Sequence, residues 1–139
     1  MKEDKLLRVV LDTNVLISAL GFRTMTKKIW ELVEESRYQL YISVFILQEL
    51  ERNLIKKAEL DADRTKAIMD EVLGIAILVD PKVRVSEIQN DLADNRILEC
   101  ALEAKADVLV TGDLKHIRIL GHFQGIEILT PQEFIAKYF

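Results

Sequence analysis

The feature that most constrains this chain is the spacing of its short aliphatic runs. Leu7–Leu11, Leu40–Ser43, Ile75–Val79, Val108–Val110 and Ile126–Leu129 are rich in β-branched and aliphatic residues and read as strands. Between them, Met25–Arg37, Val44–Ala58, Asp63–Leu73 and Asn95–Lys105 carry the periodicity and length of ordinary helices. Strands that alternate with helices predict a parallel sheet with both faces covered. The runs also lack internal polar–apolar alternation, as expected of strands buried on both sides. The expected class is therefore α/β: a three-layer α/β/α arrangement around an open, doubly wound sheet of about five strands.

The chain has 139 residues and is 50% hydrophobic, enough for one sizeable core without disulfides or a structural metal. It contains no linker-like or repetitive stretch, so residues 1–139 are expected to form a single domain. Gly21, Gly74, Gly112, Gly121 and Gly125 read as element ends and turns. The single cysteine, Cys100, lies in an apolar-rich run and reads as a buried structural thiol, in keeping with a reducing compartment. Met1–Lys5 is charged, and the apolar run after it stops at Asp12, too early for a signal peptide or a membrane span. The expectation is a cytoplasmic protein.

Ligands of open parallel sheets bind outside the carboxyl ends of the strands, where the strand order reverses. Asp12 ends the first run and Asp113 follows the fourth through Thr111-Gly112, so two strands deliver aspartates to the same edge. The second run leads through Ser43 into a helix carrying Glu49, and the helix before the fourth run opens with Asp91-Leu92-Ala93-Asp94-Asn95. Carboxylates that converge repel: at an effective dielectric of ~20 and a separation of ~5 Å, each ionised pair costs roughly 3 kcal/mol, so they bind a cation or protonate. Hard, oxygen-seeking Mg²⁺ or Mn²⁺ fits this chemistry. Zinc does not, because His116, His122 and Cys100 form no ligand-spaced cluster. Magnesium held by a few carboxylates commonly completes its shell with substrate phosphate oxygens, which points to phosphoryl chemistry.

The order and spacing of four anchors resemble the PIN-domain nucleases, especially the small stand-alone toxins of toxin–antitoxin pairs. The anchors are Val9-Val10-Leu11-Asp12-Thr13-Asn14-Val15, Ile42-Ser43 leading to Gln48-Glu49-Leu50, Asp91 with Asp94-Asn95, and Ala106-Asp107 through Val110-Thr111-Gly112-Asp113. The resemblance spans roughly residues 7 to 131. It implies strand order 3-2-1-4-5, a homodimer, an antitoxin partner and Mg²⁺- or Mn²⁺-dependent cleavage of RNA. Its acidic set would be Asp12, Glu49, Asp94 and Asp113, with Asp91 as an additional ligand and Asn14 and Thr111 orienting the carboxylates.

Each acid also has a purely structural explanation. Asp12 and Asp94 are good helix caps, and Asp113 is a good turn residue. Glu49 points nearly opposite the apolar face of its helix, and Glu51 lies closer to it, so only the family spacing selects Glu49. The net charge of −4 is not that of a generic nucleic-acid binder. RNA would have to be held by bound cations or by local groups such as Arg52, Lys56, Lys57, Arg64 and Lys66, or Arg96, Lys115, His116 and Arg118. His116 reads as a packing or substrate-contact residue and is left out of the catalytic set. Two rival functions remain: a catalytically silent PIN-like module that binds RNA or protein, and a haloacid-dehalogenase-like phosphatase. The phosphatase needs a second aspartate where this chain has Asn14.

Overall fold

Each aliphatic run becomes a strand. The computed structural model describes residues 5–21, 24–86 and 92–139, with backbone alone at 24 and 25. Its strands are β1 (Arg8–Leu11), β2 (Gln39–Ser43), β3 (Ile77–Val79), β4 (Val108–Val110), β5 (His122–Phe123) and β6 (Ile126–Leu129). The helices are α1 (Thr13–Leu20), α2 (Thr24–Glu34), α3 (Val44–Lys56), α4 (Ala62–Ile75), α5 (Leu92–Glu103) and α6 (Pro131–Tyr138).

The sheet has the order β3-β2-β1-β4-β6-β5. All pairings are parallel except β5 with β6. With β6 as the fifth aliphatic run, the parallel part follows the expected order 3-2-1-4-5. The addition is β5, an antiparallel edge strand too short to register as a run. Gln124 and Gly125 both have positive φ, 49° and 86°, and join Phe123 to its partner Ile126. Two positive-φ residues form the tight turn whose twist suits a hairpin. The third run also starts later than expected: Ile75 closes α4, and the Ala76 N–H bonds to the Val72 carbonyl at 2.8 Å.

Val9, Val10 and Leu11 of β1 and all three residues of β4 are buried, as strands covered on both faces must be. Burying each such side chain contributes roughly 1.5–3 kcal/mol. Helix α5 packs on β1 and β2, α1 packs on α2 and α3, and α3 packs on α4. Tyr38 fastens the far end: its hydroxyl donates to the Ile29 carbonyl at 2.8 Å, and its ring meets Phe134 of α6 edge-on at 5.5 Å. Cys100 is buried, and burial pushes its thiol up to about 12 despite hydrogen bonding with Ser43, which leaves it unreactive at neutral pH.

Helix α6 begins with a reciprocal cap. Thr130 Oγ1 accepts from the Glu133 N–H at 3.1 Å, and the Glu133 carboxylate accepts from the Thr130 N–H at 2.9 Å. Arg118 then grips both oxygens of Glu133 at 2.8 and 2.7 Å, tying the loop after β4 to α6. Arg118 and the Thr130 N–H together hold the Glu133 carboxyl down to about 2. Thr130→Ala is expected to cost about 1 kcal/mol, read as a lower midpoint in urea with an unchanged slope. No helix among the described residues is long and apolar enough to cross a membrane.

Candidate active site

The chain runs from β1 outward to β2 and β3, then returns through α5 to β4 on the other side of β1. The carboxyl ends of β1 and β4 therefore lie side by side at the point where the strand order reverses. Leu11 pairs with Val110, and the Asp12 N–H extends the ladder by one bond, to the Val110 carbonyl at 3.0 Å.

Asp12 caps α1: one carboxylate oxygen accepts from the Val15 N–H at 2.9 Å. The other accepts from the hydroxyl of Thr111, which is fully buried. The same hydroxyl oxygen accepts from the Asp113 N–H at 3.0 Å. Thr111 thus fixes both strand-end aspartates through one atom. The cap uses one oxygen of Asp12, so capping alone does not exclude a site role for the other.

Burial raises the Asp12 pKa above its ordinary value, against the opposing hydrogen bonds from Thr111, Val15 and Gly112, and the charge of Asp113 pushes it further up. The consequence for stability has a definite sign. A carboxyl whose folded pKa is raised contributes stability below its unfolded pKa and loses it as pH rises through the folded one. Without a cation, the wild type is expected to lose stability relative to Asp12→Asn as pH rises from about 4 through the raised folded pKa, as measured by urea unfolding of the two proteins side by side.

Asp113 is shaped by its own loop. Its Oδ1 accepts from the Lys115 and His116 N–H groups, both at 2.9 Å. Its Oδ2 faces His116 Nδ1 at 3.3 Å, and Asp94 Oδ2 lies 3.5 Å from the same nitrogen. Partial burial pushes the Asp113 carboxyl up, but the His116 N–H, the Asp94 carboxyl, the Lys115 N–H and the His116 ring together hold it below its ordinary value. Asp94, Asp113 and His116 each offer one ligand atom, all within 4.8 Å of one another.

Several expectations need correction. Helix α5 begins at Leu92, so Asp94 is buried in its first turn and is not the cap of a helix starting at Asn95. A carboxylate there is favoured by the positive end of the helix. Glu49 is not a solvated charge: its side chain is 22% exposed and bonds Arg52 at 2.8 Å, whereas Glu51 is exposed. It lies outside the Asp94–Asp113–His116 group. Asn14 is exposed and makes no hydrogen bond to these acids among the described residues. Its neighbour Thr13 is the buried one, its hydroxyl without a partner among the described residues. Asp91 lies outside the described residues.

Two residues were underrated. His116 belongs to the converging group, and the signal was its position three residues after Asp113. Glu99 of α5 is buried: it accepts from the Val85 N–H at 2.7 Å and from Arg96 at 2.7 Å, with exposed Arg84 at 3.7 Å. The signal there was a charge inside the apolar run Ile97 to Ala101. The basic residues divide likewise. Arg52, Lys66, Arg96 and Arg118 are engaged by Glu49, Asp70, Glu99 and Glu133. Lys56, Lys57, Arg64 and Lys115 are exposed with no ion pair among the described residues. Of these four, Lys115 has its backbone N–H on one of the acids, Asp113.

A family model described as "PIN domain" matches residues 8–115. A curated relative, uncharacterized protein MJ1680 of Methanocaldococcus jannaschii, is 28% identical, the match covering 95% of this chain and 92% of that protein. Among solved structures, VapBC2 from Rickettsia felis, bound to a DNA fragment from its promoter, superposes with a TM-score of 0.62 at 17% identity over 88% of this chain and 97% of the other. VapBC-1 from nontypeable Haemophilus influenzae gives 0.62 at 14% over 91% and 99%. FitAcB from Neisseria gonorrhoeae gives 0.57 at 15% over 89% and 98%. At these identities the structures establish a shared fold.

Proposed function

This chain belongs to the PIN-domain family, and from that premise we propose that it is a divalent-metal-dependent endoribonuclease, the toxin of a toxin–antitoxin pair. The observation that carries the reading is the convergence of Asp94 and Asp113 at the strand-order reversal, with Asp12 one shared hydroxyl away. An oxygen-rich set of this kind fits Mg²⁺ or Mn²⁺. Asp94 and Asp113 would hold the cation, with Asp12 and Glu49 completing the acidic set. When bound, such a cation supplies charge stabilisation at a phosphodiester and a more acidic water.

The chain's own residues do the positioning. Thr111 holds Asp12 in one orientation, and the Lys115 and His116 N–H groups do the same for Asp113. Lys115, exposed two residues after Asp113, would meet a phosphate beside the acids. The cluster also invites a cationic plug, so an antitoxin would present an arginine or lysine to it. A homodimer is part of the same reading.

Labelled structured RNA incubated with the protein is expected to be cut in Mg²⁺ or Mn²⁺ and not in chelator, leaving 5′-phosphate and 3′-hydroxyl ends. RNA binding without metal-dependent cutting would replace the enzyme with a binding module. Steady turnover of a simple phosphomonoester would replace it with a phosphatase.

A further inference from the structure

We infer that His116 is a nitrogen ligand of the cation at this site, beside Asp94 and Asp113, and that it tilts the site toward Mn²⁺ over Mg²⁺. The inference rests on the metal-site reading above and adds a ligand of a different chemical class to it.

The distances are close to those of ligands around one cation. His116 Nδ1 stands 3.3 Å from Asp113 Oδ2 and 3.5 Å from Asp94 Oδ2. A charge-assisted N–H···O bond closes to about 2.7–2.9 Å, so both contacts are long for that role. Two neighbouring ligands of an octahedral ion with bonds of about 2.1 Å stand about 3 Å apart. The Asp113–His116 contact is a long hydrogen bond, and a small closure of both spacings would bring the three atoms to those of ligands around a cation. One nitrogen also faces two carboxylate oxygens on different elements, the loop after β4 and the first turn of α5.

The loop is built to keep the ring there. Asp113 Oδ1 spends itself on the Lys115 and His116 N–H groups, which turns Oδ2 and the imidazole toward each other. Mg²⁺ favours oxygen and keeps its waters, whereas imidazole suits softer first-row ions. An imidazole in the set is therefore expected to add affinity for Mn²⁺ and little for Mg²⁺.

The test is calorimetric titration of the full chain with Mn²⁺ and separately with Mg²⁺, for wild type and His116→Ala, with circular dichroism melts to verify folding. Pulsed paramagnetic resonance of the Mn²⁺-loaded proteins is the second readout. The expected result is a Mn²⁺ affinity weakened about tenfold or more in the variant, a Mg²⁺ affinity within about twofold, and a nitrogen coupling seen only in wild type. Wild type and variant binding Mn²⁺ equally, or losing Mn²⁺ and Mg²⁺ affinity equally with no nitrogen coupling in wild type, would overturn the ligand role alone. A wild type that binds neither ion would overturn the metal site with it.

Discussion

Asp12→Asn is expected to lower RNA cleavage by about a thousandfold and, without metal, to melt no lower than the wild type. The activity loss follows from removing one charge from a set that holds a cation, where single electrostatic contributions are worth about 10²–10³ in rate. The stability result runs the other way for a structural reason. Asp12 is buried, and desolvation raises its pKa, so its ionised form is disfavoured in the fold. An asparagine oxygen can still accept from the Val15 N–H and keep the cap. Relieving a functional site's built-in cost commonly yields about 0.5–2 kcal/mol. Melts at about pH 8 in chelator, beside initial cleavage rates in Mn²⁺, measure both halves. A variant that loses activity because it unfolds would show Asp12 to be a structural cap only.

The second large effect concerns a residue outside the acidic set. Glu99→Ala is expected to destabilise the protein by about 3–5 kcal/mol, because it leaves the largely buried Arg96 guanidinium without its counter-charge and the Val85 N–H without its acceptor. Against a total stability of about 5–15 kcal/mol, that is a large share. Glu99→Gln keeps an acceptor for Val85 and is expected to lose less. Arg84→Ala is expected to change stability by no more than about 0.5 kcal/mol, since Arg84 is 77% exposed and its contact is long. Urea unfolding of the three variants orders them. Equal losses for Arg84→Ala and Glu99→Ala would show that the surface pair, and not the buried one, carries the clamp.

The same contrast between buried and exposed charge explains what could be read from the sequence. The parallel sheet was legible because β1, β2 and β4 are buried on both faces, and burial on both faces writes itself as unbroken aliphatic runs. Their order came with the family anchors. Strand β5 was not legible: two residues carry no periodicity, and only the Gln124-Gly125 turn marked the hairpin. At the site, Asp113 was legible as an acid at the end of an apolar strand. Glu49 was misread as solvated, because an ideal helical wheel does not show that Arg52, one turn on, engages its carboxylate. Asn14 was assigned by motif position, and it is exposed in the helix that starts at Thr13. The hydroxyl that does the orienting is Thr111, whose short side chain fits between the ends of two strands. His116 left a partial signal in its spacing from Asp113 and Glu99 in its place inside an apolar run, but their meetings with Asp94 and Val85 are contacts that spacing along a chain does not encode.

The central claim is that the acids at this sheet edge form a cation-dependent site that cuts RNA. The most direct test is cleavage of one labelled RNA by wild type and by Asp113→Asn, purified identically, each in Mn²⁺ and in chelator. The account predicts cutting by the wild type in Mn²⁺ alone, at a rate about a thousandfold above the variant. Equal cutting by both proteins, or cutting that persists in chelator, would contradict it.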